Sequence, residues 1–448
     1  MIHGPTYAEM RDPSLIAVRQ RALKASKEAP LDPVNLFNIT WKDPAGHVCA
    51  VRLPEALTGV EAPIIVLHAK HFPTGAHKVG ATYSVLMEHQ LAGDVKPGKH
   101  TLVWPSTGNY GIGGAWVGPR MGYESVVILP EGMSAERFEK IAGYGARAIK
   151  TPGSESNVKE IYDECKRLAA EPNVRVMNQF EEMANYRFHY HVTGDAAATA
   201  VKELGAGRPA AFVSAMGSGG TIAAGDYLKA RRGTAIVGLE PIQCPTLIKN
   251  GYGSHAIEGI GDKHVTWIHH VGNLDAMMAI DDQECLEGLR LLTDPVGSDY
   301  LERKAGLGDL APRLATLLGI SGVCNILGAI KTARWLGLSR HEAVVTIATD
   351  SLDRYHSVMR RLWERDGPLT PDQAEERHAR IFRGQKLDWI QEGTRETRER
   401  WHNLKYFTWV EQQGKTVKEL DAQRSDGWWH DQAAMAEQID KRLLDARG

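Results

Sequence analysis

Short apolar runs alternate with helical patterns between residues 64 and 240 of this 448-residue chain, and this alternation constrains the fold more than any other feature. The predicted strands are 64–67, 101–104, 125–129, 147–150, 174–177, 210–215 and 235–239. The predicted helices between them are 111–117, 134–144, 158–169, 195–204 and 222–231. Strands that alternate with helices predict a parallel α/β sheet wound on both faces, and continuous apolar strands suit burial on both sides.

The charge balance and the cysteines exclude several classes of partner and site. The formal net charge is −2, so the chain offers no electrostatic basis for binding nucleic acid or an anionic membrane. The five cysteines are widely spaced without a CxxC pair, which favours free thiols over a zinc site. No apolar run approaches the roughly 18 residues of a membrane helix, and residues 1–20 lack a signal-like apolar segment. We expect a cytoplasmic protein.

Two glycine-rich loops, at residues 105–113 and 216–221, each follow a predicted strand and open a predicted helix. Ligands of open α/β folds bind at such strand ends. The loop at 216–221 suits a phosphate, because its backbone N–H groups and the following helix N-terminus attract anions, and Ser218 and Thr221 add hydroxyl groups. It lacks both nucleotide-binding glycine patterns, so we expect a compact phosphate ester, with a ligand-free tight turn as the alternative.

A lysine stands in a loop of small residues where a helix begins. Residues 71–81 read HFPTGAHKVGA, with Lys78 near the predicted helix start. Most lysines are solvated surface charges. A lysine buried in a cofactor pocket instead has a lowered pKa and forms Schiff bases.

These segments resemble the fold type II pyridoxal-phosphate (PLP) enzymes, in particular the cysteine synthase and cystathionine β-synthase family. PTGAHK at 73–78 is similar to the family's cofactor-lysine segment, and its GAHK to that of tryptophan synthase β chains. STGNYGIG at 106–113 resembles the family's TSGNTGIG loop, and GSGGT at 217–221 resembles its GTGGT loop. Further similar segments are VGLEP at 237–241, IEGIG at 257–261, GISG at 319–322 and TDSLDRY at 349–355. All of them occur in the family's order.

The resemblance implies a two-lobed α/β fold with parallel open sheets covered by helices, plus a helical C-terminal extension. We expect an N-terminal extension at 1–60, a catalytic PLP core at 61–360 with its smaller lobe at about 95–195, and a Trp-rich extension at 361–448. The tryptophans of this last segment argue against disorder, so it should pack on the core or on a second subunit. These tryptophans are Trp363, Trp389, Trp401, Trp409, Trp428 and Trp429.

The resemblance also implies roles for individual residues. Lys78 would hold PLP as a Schiff base and later transfer protons. The cofactor-binding set would be Lys78, Asn109, Gly217, Ser218, Gly219, Gly220, Thr221 and Ser351. The substrate-binding set would be Ser106, Thr107, Gly108, Tyr110 and Gln179. Ser351 would face the pyridine nitrogen, although the register leaves Asp350 as an alternative, and no metal site is expected.

The implied reaction is β-elimination or β-replacement on a small amino acid through an α-aminoacrylate intermediate, as in cysteine synthases. A serine, threonine or diaminopropionate ammonia-lyase or dehydratase is the alternative. A third alternative, from another functional class, is a non-catalytic ligand-binding or scaffold protein that retains the fold. Relatives are usually dimers, so we expect a homodimer.

Three neighbouring positions carry further expectations. His77, which precedes the lysine, is expected to pack or hydrogen-bond near the phosphate. Tyr110 stands where the family usually has Thr, and could narrow the substrate site. In the helix predicted at 134–144, we expect Arg137 on the outer face.

Overall fold

Two sheets frame the molecule, whose computed structural model describes residues 2–106, 108–153 and 158–448. The strands are β1 (Ala50–Leu53), β2 (Ile64–His68), β3 (Thr101–Pro105), β4 (Glu124–Pro130), β5 (Arg147–Thr151), β6 (Val174–Val176), β7 (Arg208–Ala215), β8 (Ala235–Pro241), β9 (Ala276–Ile280), β10 (Glu342–Ala348) and β11 (Ile390–Glu392). Within the described residues, seven strands form the larger sheet, in the order β1-β2-β10-β7-β8-β9-β11. Four strands form the smaller sheet, in the order β5-β4-β3-β6.

Helices fill most of the chain between the strands. They are α1 (Tyr7–Arg11), α2 (Arg19–Glu28), α3 (Glu55–Thr58), α4 (Lys78–Ala92), α5 (Asn109–Arg120), α6 (Ala135–Gly143), α7 (Val158–Ala169), α8 (Met183–Phe188), α9 (Gly194–Glu203), α10 (Ala223–Arg232), α11 (Thr246–Lys249), α12 (Asp282–Thr293), α13 (Pro295–Asp299), α14 (Leu310–Leu317), α15 (Ile320–Trp335), α16 (His356–Asp366), α17 (Pro371–Arg377), α18 (Arg395–Asn403), α19 (Val417–Ala422) and α20 (Asp426–Arg447). Short 3-10 and π-helical turns extend several of them.

The larger sheet is buried on both faces, as its continuous apolar strands predict. Along β2, Ile65 and Leu67 enter one hydrophobic cluster, whereas Ile64 and Val66 enter another. This division follows from the two-residue repeat of a strand. Helix α15 packs against β10 and β7 on one side, and α9 and α10 pack on the other.

All strands predicted from the sequence are present, with ends shifted by at most two residues. The parallel arrangement is confirmed inside both sheets. It fails at the two edges of the larger sheet, where β1 pairs antiparallel with β2 and β11 pairs antiparallel with β9. The link from β1 to β2 contains only the four-residue helix α3, so the chain reverses without crossing over the sheet, which an antiparallel pair permits.

The C-terminal extension packs on the core of the same chain. Trp401 Nε1 donates to the Leu247 carbonyl at 3.0 Å, and α20 packs on α4 and α8. The N-terminus joins it, because the Asp440 carboxylate accepts the backbone N–H groups of Tyr7 and Ala8 at 2.7 and 2.9 Å. The structure thus supports the first of the two packing arrangements expected for this segment.

Two further features bear on the sequence expectations. All five cysteines are free and buried. No single helix in the described part of the chain is long and apolar enough to cross a membrane. The pair α14 and α15 meets the length and composition criteria jointly, but is bent by 119°.

Candidate active site

A cavity that opens to solvent lies where the carboxyl ends of β3, β7 and β10 meet. Two strand-to-helix loops form much of its wall. The asparagine loop comprises Ser106, Gly108 and Asn109, and the glycine loop comprises residues 216–221. Lys78, Tyr110 and Gln179 complete the group of predicted residues on the wall. Thr107, predicted to bind substrate, lies outside the described residues.

Lys78 is the first residue of α4, and its amine points at the glycine loop. Lys78 Nζ donates to Ser218 Oγ at 2.9 Å. The side chain has some surface on the cavity but is shielded from bulk solvent, and this burial lowers its pKa to about 8, with the Asp262 carboxylate acting against the shift. About a tenth of the amine is therefore neutral, and so nucleophilic, at pH 7, far more than for a solvated lysine.

The glycine positions of the glycine loop cannot accept a side chain, because neighbouring groups lie too close to the backbone. Gly219 has φ +74°, and a Cβ there would lie 2.7 Å from the Cβ of His269. A Cβ on Gly220 would lie 2.2 Å from Asn185 Oδ1. The Asn185 amide also donates to Ser218 Oγ at 3.0 Å, which fixes the loop serine from behind. The loop leads directly into α10, whose N-terminus favours an anion.

Gly220 differs from the other predicted members of this loop. Gly217, Ser218, Gly219 and Thr221 line the cavity, but Gly220 does not. Its position against Asn185 makes it part of the support of the loop.

His77 links the glycine loop to the end of β10. Its Nδ1 lies 3.3 Å from the Thr349 carbonyl, and its Nε2 lies 2.9 Å from Thr221 Oγ1. Because a carbonyl only accepts, we assign the ring proton to Nδ1, so that Nε2 accepts the Thr221 hydroxyl. Burial lowers the His77 pKa to about 3 and keeps the ring neutral. The geometry agrees with a packing and hydrogen-bonding role near the glycine loop.

Charged residues hold Asn109 at both ends of its amide. Its Nδ2 donates to Asp350 Oδ2 at 2.6 Å, and its Oδ1 accepts from Arg354 Nε at 2.8 Å. The same Asp350 oxygen accepts from Tyr355 Oη at 2.7 Å. The second amide hydrogen of Asn109 remains for a ligand, in agreement with its predicted place in the cofactor-binding set.

Ser106 is occupied with the asparagine loop itself. Its Oγ accepts the backbone N–H groups of Gly108 and Gly111, both at 2.8 Å. Gly108 was predicted to bind substrate, but its N–H, which could have bound a substrate carboxylate, is already donated within the loop. The hydroxyl hydrogen of Ser106 is still available for such a contact.

Two other predicted substrate residues show different environments. Gln179 Nε2 lies 3.5 Å from the Pro105 carbonyl, at the long end of hydrogen bonding. The Tyr110 hydroxyl is buried and has no hydrogen-bond partner in the part of the chain that the structure describes.

Ser351 does not lie where the sequence placed it. Its Oγ donates to Asp353 Oδ1 at 2.7 Å, and it does not line the cavity. Thr349, the first residue after β10, lines the cavity instead, and its Oγ1 lies 2.6 Å from Ser321 Oγ. Ser351 precedes a 3-10 turn that diverts its side chain away from the cavity. Thr349 therefore replaces it as the residue of this segment on the wall.

Arg137 corrects a second expectation, because it is buried and does not lie on an outer face. Its Nε donates to Glu258 Oε2 at 2.7 Å, and its Nη2 donates to Tyr355 Oη at 3.0 Å. A Cβ on Gly108 would lie 1.9 Å from Arg137 Nη1, so the guanidinium packs directly on the asparagine loop. Helical spacing offered a signal, since Arg137 shares a face with buried Ile141.

Asp262 is a site neighbour that the sequence reasoning missed. It is buried beside a small cavity behind the glycine loop, and burial raises its pKa to about 7 while Lys78 opposes the shift. Its Oδ2 has no hydrogen-bond partner within the described residues. Its place directly after the GIG segment was the available signal.

These features fit a phosphorylated aldehyde such as PLP. A shielded lysine amine supplies the group that an aldehyde condenses with. A loop whose glycines tolerate no Cβ, followed by a helix N-terminus, supplies the donors that a phosphate needs. Across residues 2–106, 108–153 and 158–448, no group of three or more His, Cys, Asp or Glu side chains is arranged to hold a metal ion.

Comparison with known proteins identifies the family. A family model described as pyridoxal-phosphate dependent enzyme matches residues 49–297. The chain belongs to this family. A probable cysteine synthase of Bacillus subtilis is 30% identical to this PLP-dependent enzyme over 320 residues, which span 70% of this chain and 95% of the relative. The cystathionine β-synthase of Saccharomyces cerevisiae is 30% identical over 274 residues, which span 59% of this chain and 54% of the relative.

Solved structures agree with this assignment of the enzyme. An O-acetylserine-dependent cystathionine β-synthase from Helicobacter pylori is 27% identical with a TM-score of 0.57, and the match covers 69% of this chain and 94% of that one. A hydrogen sulfide-producing enzyme from Fusobacterium nucleatum supports the fold, with 23% identity, a TM-score of 0.58 and coverage of 71% and 90%. At the level of the family, these likenesses support PLP-dependent β-replacement or β-elimination.

Proposed function

We propose that this enzyme carries out β-replacement on a small amino acid with a β-leaving group, in the manner of a cysteine synthase. The observation that best supports this proposal is the position of the Lys78 amine. Its Nζ lies 2.9 Å from Ser218 Oγ in the cavity between the two loops. The names of the relatives support a nucleophile such as sulfide or another thiol.

Each part of the cavity has a task in this proposal. PLP, when bound, supplies an electron sink for bonds at the substrate α-carbon. Lys78 Nζ holds the cofactor and then takes the proton from the α-carbon, for which a pKa near neutrality is well matched. The glycine loop binds the phosphate through its backbone N–H groups. The Ser106 hydroxyl and the Gln179 amide orient the substrate carboxylate.

Thr349 takes the place proposed earlier for Ser351. A hydroxyl opposite the pyridine nitrogen does not force that nitrogen to be protonated, as a facing carboxylate would. Asp350 does not line the cavity, and its Oδ2 already accepts from Asn109 and Tyr355. This arrangement favours departure of a β-substituent over reactions that require a protonated ring.

A substrate panel tests the proposal on the PLP-loaded enzyme. O-acetylserine, serine, threonine and diaminopropionate are each supplied with and without sulfide. We expect cysteine from O-acetylserine only when sulfide is present. Pyruvate or ketobutyrate with ammonia, formed without sulfide, would instead establish the ammonia-lyase or dehydratase alternative. An enzyme that binds PLP but turns over no member of the panel would support the non-catalytic alternative.

We also propose a homodimer in the cytoplasm. The expected homodimer follows the family resemblance, and the free buried thiols suit a reducing compartment. Light scattering on the purified protein would give twice the 49.3 kDa chain mass for a dimer. A mass equal to that of one chain would reject it.

A further inference from the structure

Residues 265–269, the bracing segment, lie between the glycine loop and the C-terminal extension. On the loop side, Thr266 Oγ1 donates to the Ser218 carbonyl at 2.7 Å. His269 packs so closely on Gly219 that a Cβ there would lie 2.7 Å from its own Cβ. The position of the glycine loop therefore depends on the position of the bracing segment.

On its other side, the bracing segment is held by the extension. Lys405 Nζ donates to the carbonyls of Trp267 and His269 at 3.0 and 2.7 Å. Trp409 Nε1 donates to the Val265 carbonyl at 2.8 Å. Three of the five backbone carbonyls in the bracing segment thus accept hydrogen bonds from two side chains of the extension.

Lys405 is an unusual residue to find in this place. It is completely buried, its third hydrogen bond goes to Gln423 Oε1 at 2.6 Å, and its Nζ lies 5.4 Å from the centre of the Trp429 ring. No carboxylate contacts its Nζ among the residues that the structure describes. Burial lowers its pKa well below the ordinary value.

A buried lysine without a counter-ion is a poor source of stability, because the amine must give up its hydration. Apolar side chains of similar volume commonly stabilise such a contact as well or better. The directions of the hydrogen bonds made by Lys405 and Trp409 offer another explanation for the buried lysine. A lysine amine and an indole N–H fix the directions of carbonyl groups, which an apolar side chain does not do.

We propose that Lys405 and Trp409 are positioning residues for the cofactor site. Through the bracing segment, the C-terminal extension sets the shape of the glycine loop and thereby the affinity of the enzyme for the phosphate of its cofactor. This inference rests on the PLP site and not on the reaction proposed above, so the two fail independently.

Four single variants of the full-length enzyme separate positioning from stability. Lys405→Met and Trp409→Phe remove the donors on the extension. Thr266→Val removes the bond to Ser218 while leaving the extension docked. Lys331→Met is the matched control, because Lys331 is also buried and donates to Ala279 O at 3.2 Å and Asp388 Oδ1 at 3.0 Å, away from the glycine loop.

The measurements are the dissociation constants of PLP and of inorganic phosphate for each protein, together with its midpoint of thermal unfolding. We expect Lys405→Met and Thr266→Val each to raise both dissociation constants about tenfold, the equivalent of one lost hydrogen bond. We expect a smaller rise for Trp409→Phe. In the double variant Lys405→Met/Thr266→Val, the increases in each dissociation constant should be less than additive in free energy. The reason is that both residues act on the glycine loop through the bracing segment.

The control defines the outcome that overturns the proposal. Lys331→Met should lower the unfolding midpoint while both dissociation constants stay within about twofold of the parent. The proposal is wrong if Lys405→Met and Thr266→Val lower that midpoint without changing either constant, or if Lys331→Met changes both constants equally. Should Lys405→Met not fold, Thr266→Val and Trp409→Phe decide by the same criteria.

Discussion

The two loops of the active site both follow parallel strands, but different kinds of contact hold them in place. The glycine loop is held by neutral contacts, such as those of Thr266 and Asn185 with Ser218. The asparagine loop lies against a buried network of charges, in which Arg137 contacts Glu258 and Asn109 contacts Asp350. Similar placement in the fold therefore does not imply similar energetics.

The difference matters because the partners of the asparagine loop come from both lobes. Arg137 extends from α6 beside the smaller sheet, whereas Glu258 lies between α11 and β9, and Asp350 follows β10 of the larger sheet. Removing one member of such a network leaves a buried charge without its partner, which is costly. The glycine loop depends instead on glycine positions that leave no room for a Cβ. We therefore expect substitutions at these glycines to destabilise the protein.

The largest expected effect concerns the lysine that both loops surround. Lys78→Ala should lower turnover by about 10³-fold or more and abolish the visible absorbance of the lysine-bound cofactor, because no amine remains to hold it. Exposed Lys70→Ala in the same segment is the control and should retain both. A Lys78→Ala enzyme that keeps the absorbance band would refute the assignment.

The charge network gives the next largest effect. Arg137→Met should lower the free energy of unfolding by about 3–5 kcal/mol, because Glu258 and Asp350 lose their buried cation. Urea unfolding measures this change. Arg167→Met removes an exposed pair with Glu164 and should leave the unfolding midpoint unchanged. Equal losses in both variants would show that the asparagine loop does not depend on buried charge.

A substitution that adds a methyl group to the glycine loop tests whether crowding determines its shape. Gly219→Ala should cost about 2–4 kcal/mol in free energy of unfolding, since it combines a left-handed backbone with collisions against His269 and Thr266. Gly233→Ala isolates the backbone contribution, because it has φ +66° with nothing within 4 Å of the added Cβ. We expect about 1–2 kcal/mol for that control. If the two costs are equal, crowding does not shape the loop.

Proton binding by Lys78 gives a smaller effect, measured on the cofactor-free enzyme. The rate of PLP uptake should rise with pH through a midpoint of about 8, where the amine loses its proton. Because the folded pKa is lowered, the folded state binds fewer protons than the unfolded chain between pH 8 and 10.5, so stability rises with pH across that window.

Asp262 provides the check on this assignment. Its carboxylate raises the pKa of Lys78, so Asp262→Asn should move the midpoint of PLP uptake to lower pH. An unchanged pH midpoint in Asp262→Asn would show that Asp262 does not affect the pKa of Lys78. A midpoint near 10.5 in the parent enzyme would show that Lys78 is solvated.

The smallest effect is expected at Tyr110. Its hydroxyl is buried without a partner in the described structure, so Tyr110→Phe should change the free energy of unfolding by less than about 1 kcal/mol. The KM for the amino acid substrate should also stay constant. A large rise in KM would show that this hydroxyl contacts substrate, as its place on the cavity wall permits.

Between residues 64 and 240 the sequence predicted the strands and helices well, because their signals are local, and the structure brings most of the predicted site residues to one cavity. Glycine at 219 marks a left-handed turn, and an apolar run such as 64–67 marks a buried strand. Ser351 does not line the cavity, because the three-residue 3-10 turn Leu352–Arg354 begins directly after it and Thr349 faces the cavity instead. Nothing in that short segment specifies where the strand ends and the turn begins.

The sequence by itself determined the order of strands and helices, the lysine and the two loops, since period, glycine content and spacing are properties of neighbouring residues. Only the tertiary structure decided which buried charges meet. Arg137 and Glu258 are 121 positions apart, and Lys405 and His269 are 136 positions apart. Such contacts depend on how whole elements pack, so helical spacing can indicate that a basic residue lies on a buried face but not which distant residue it contacts.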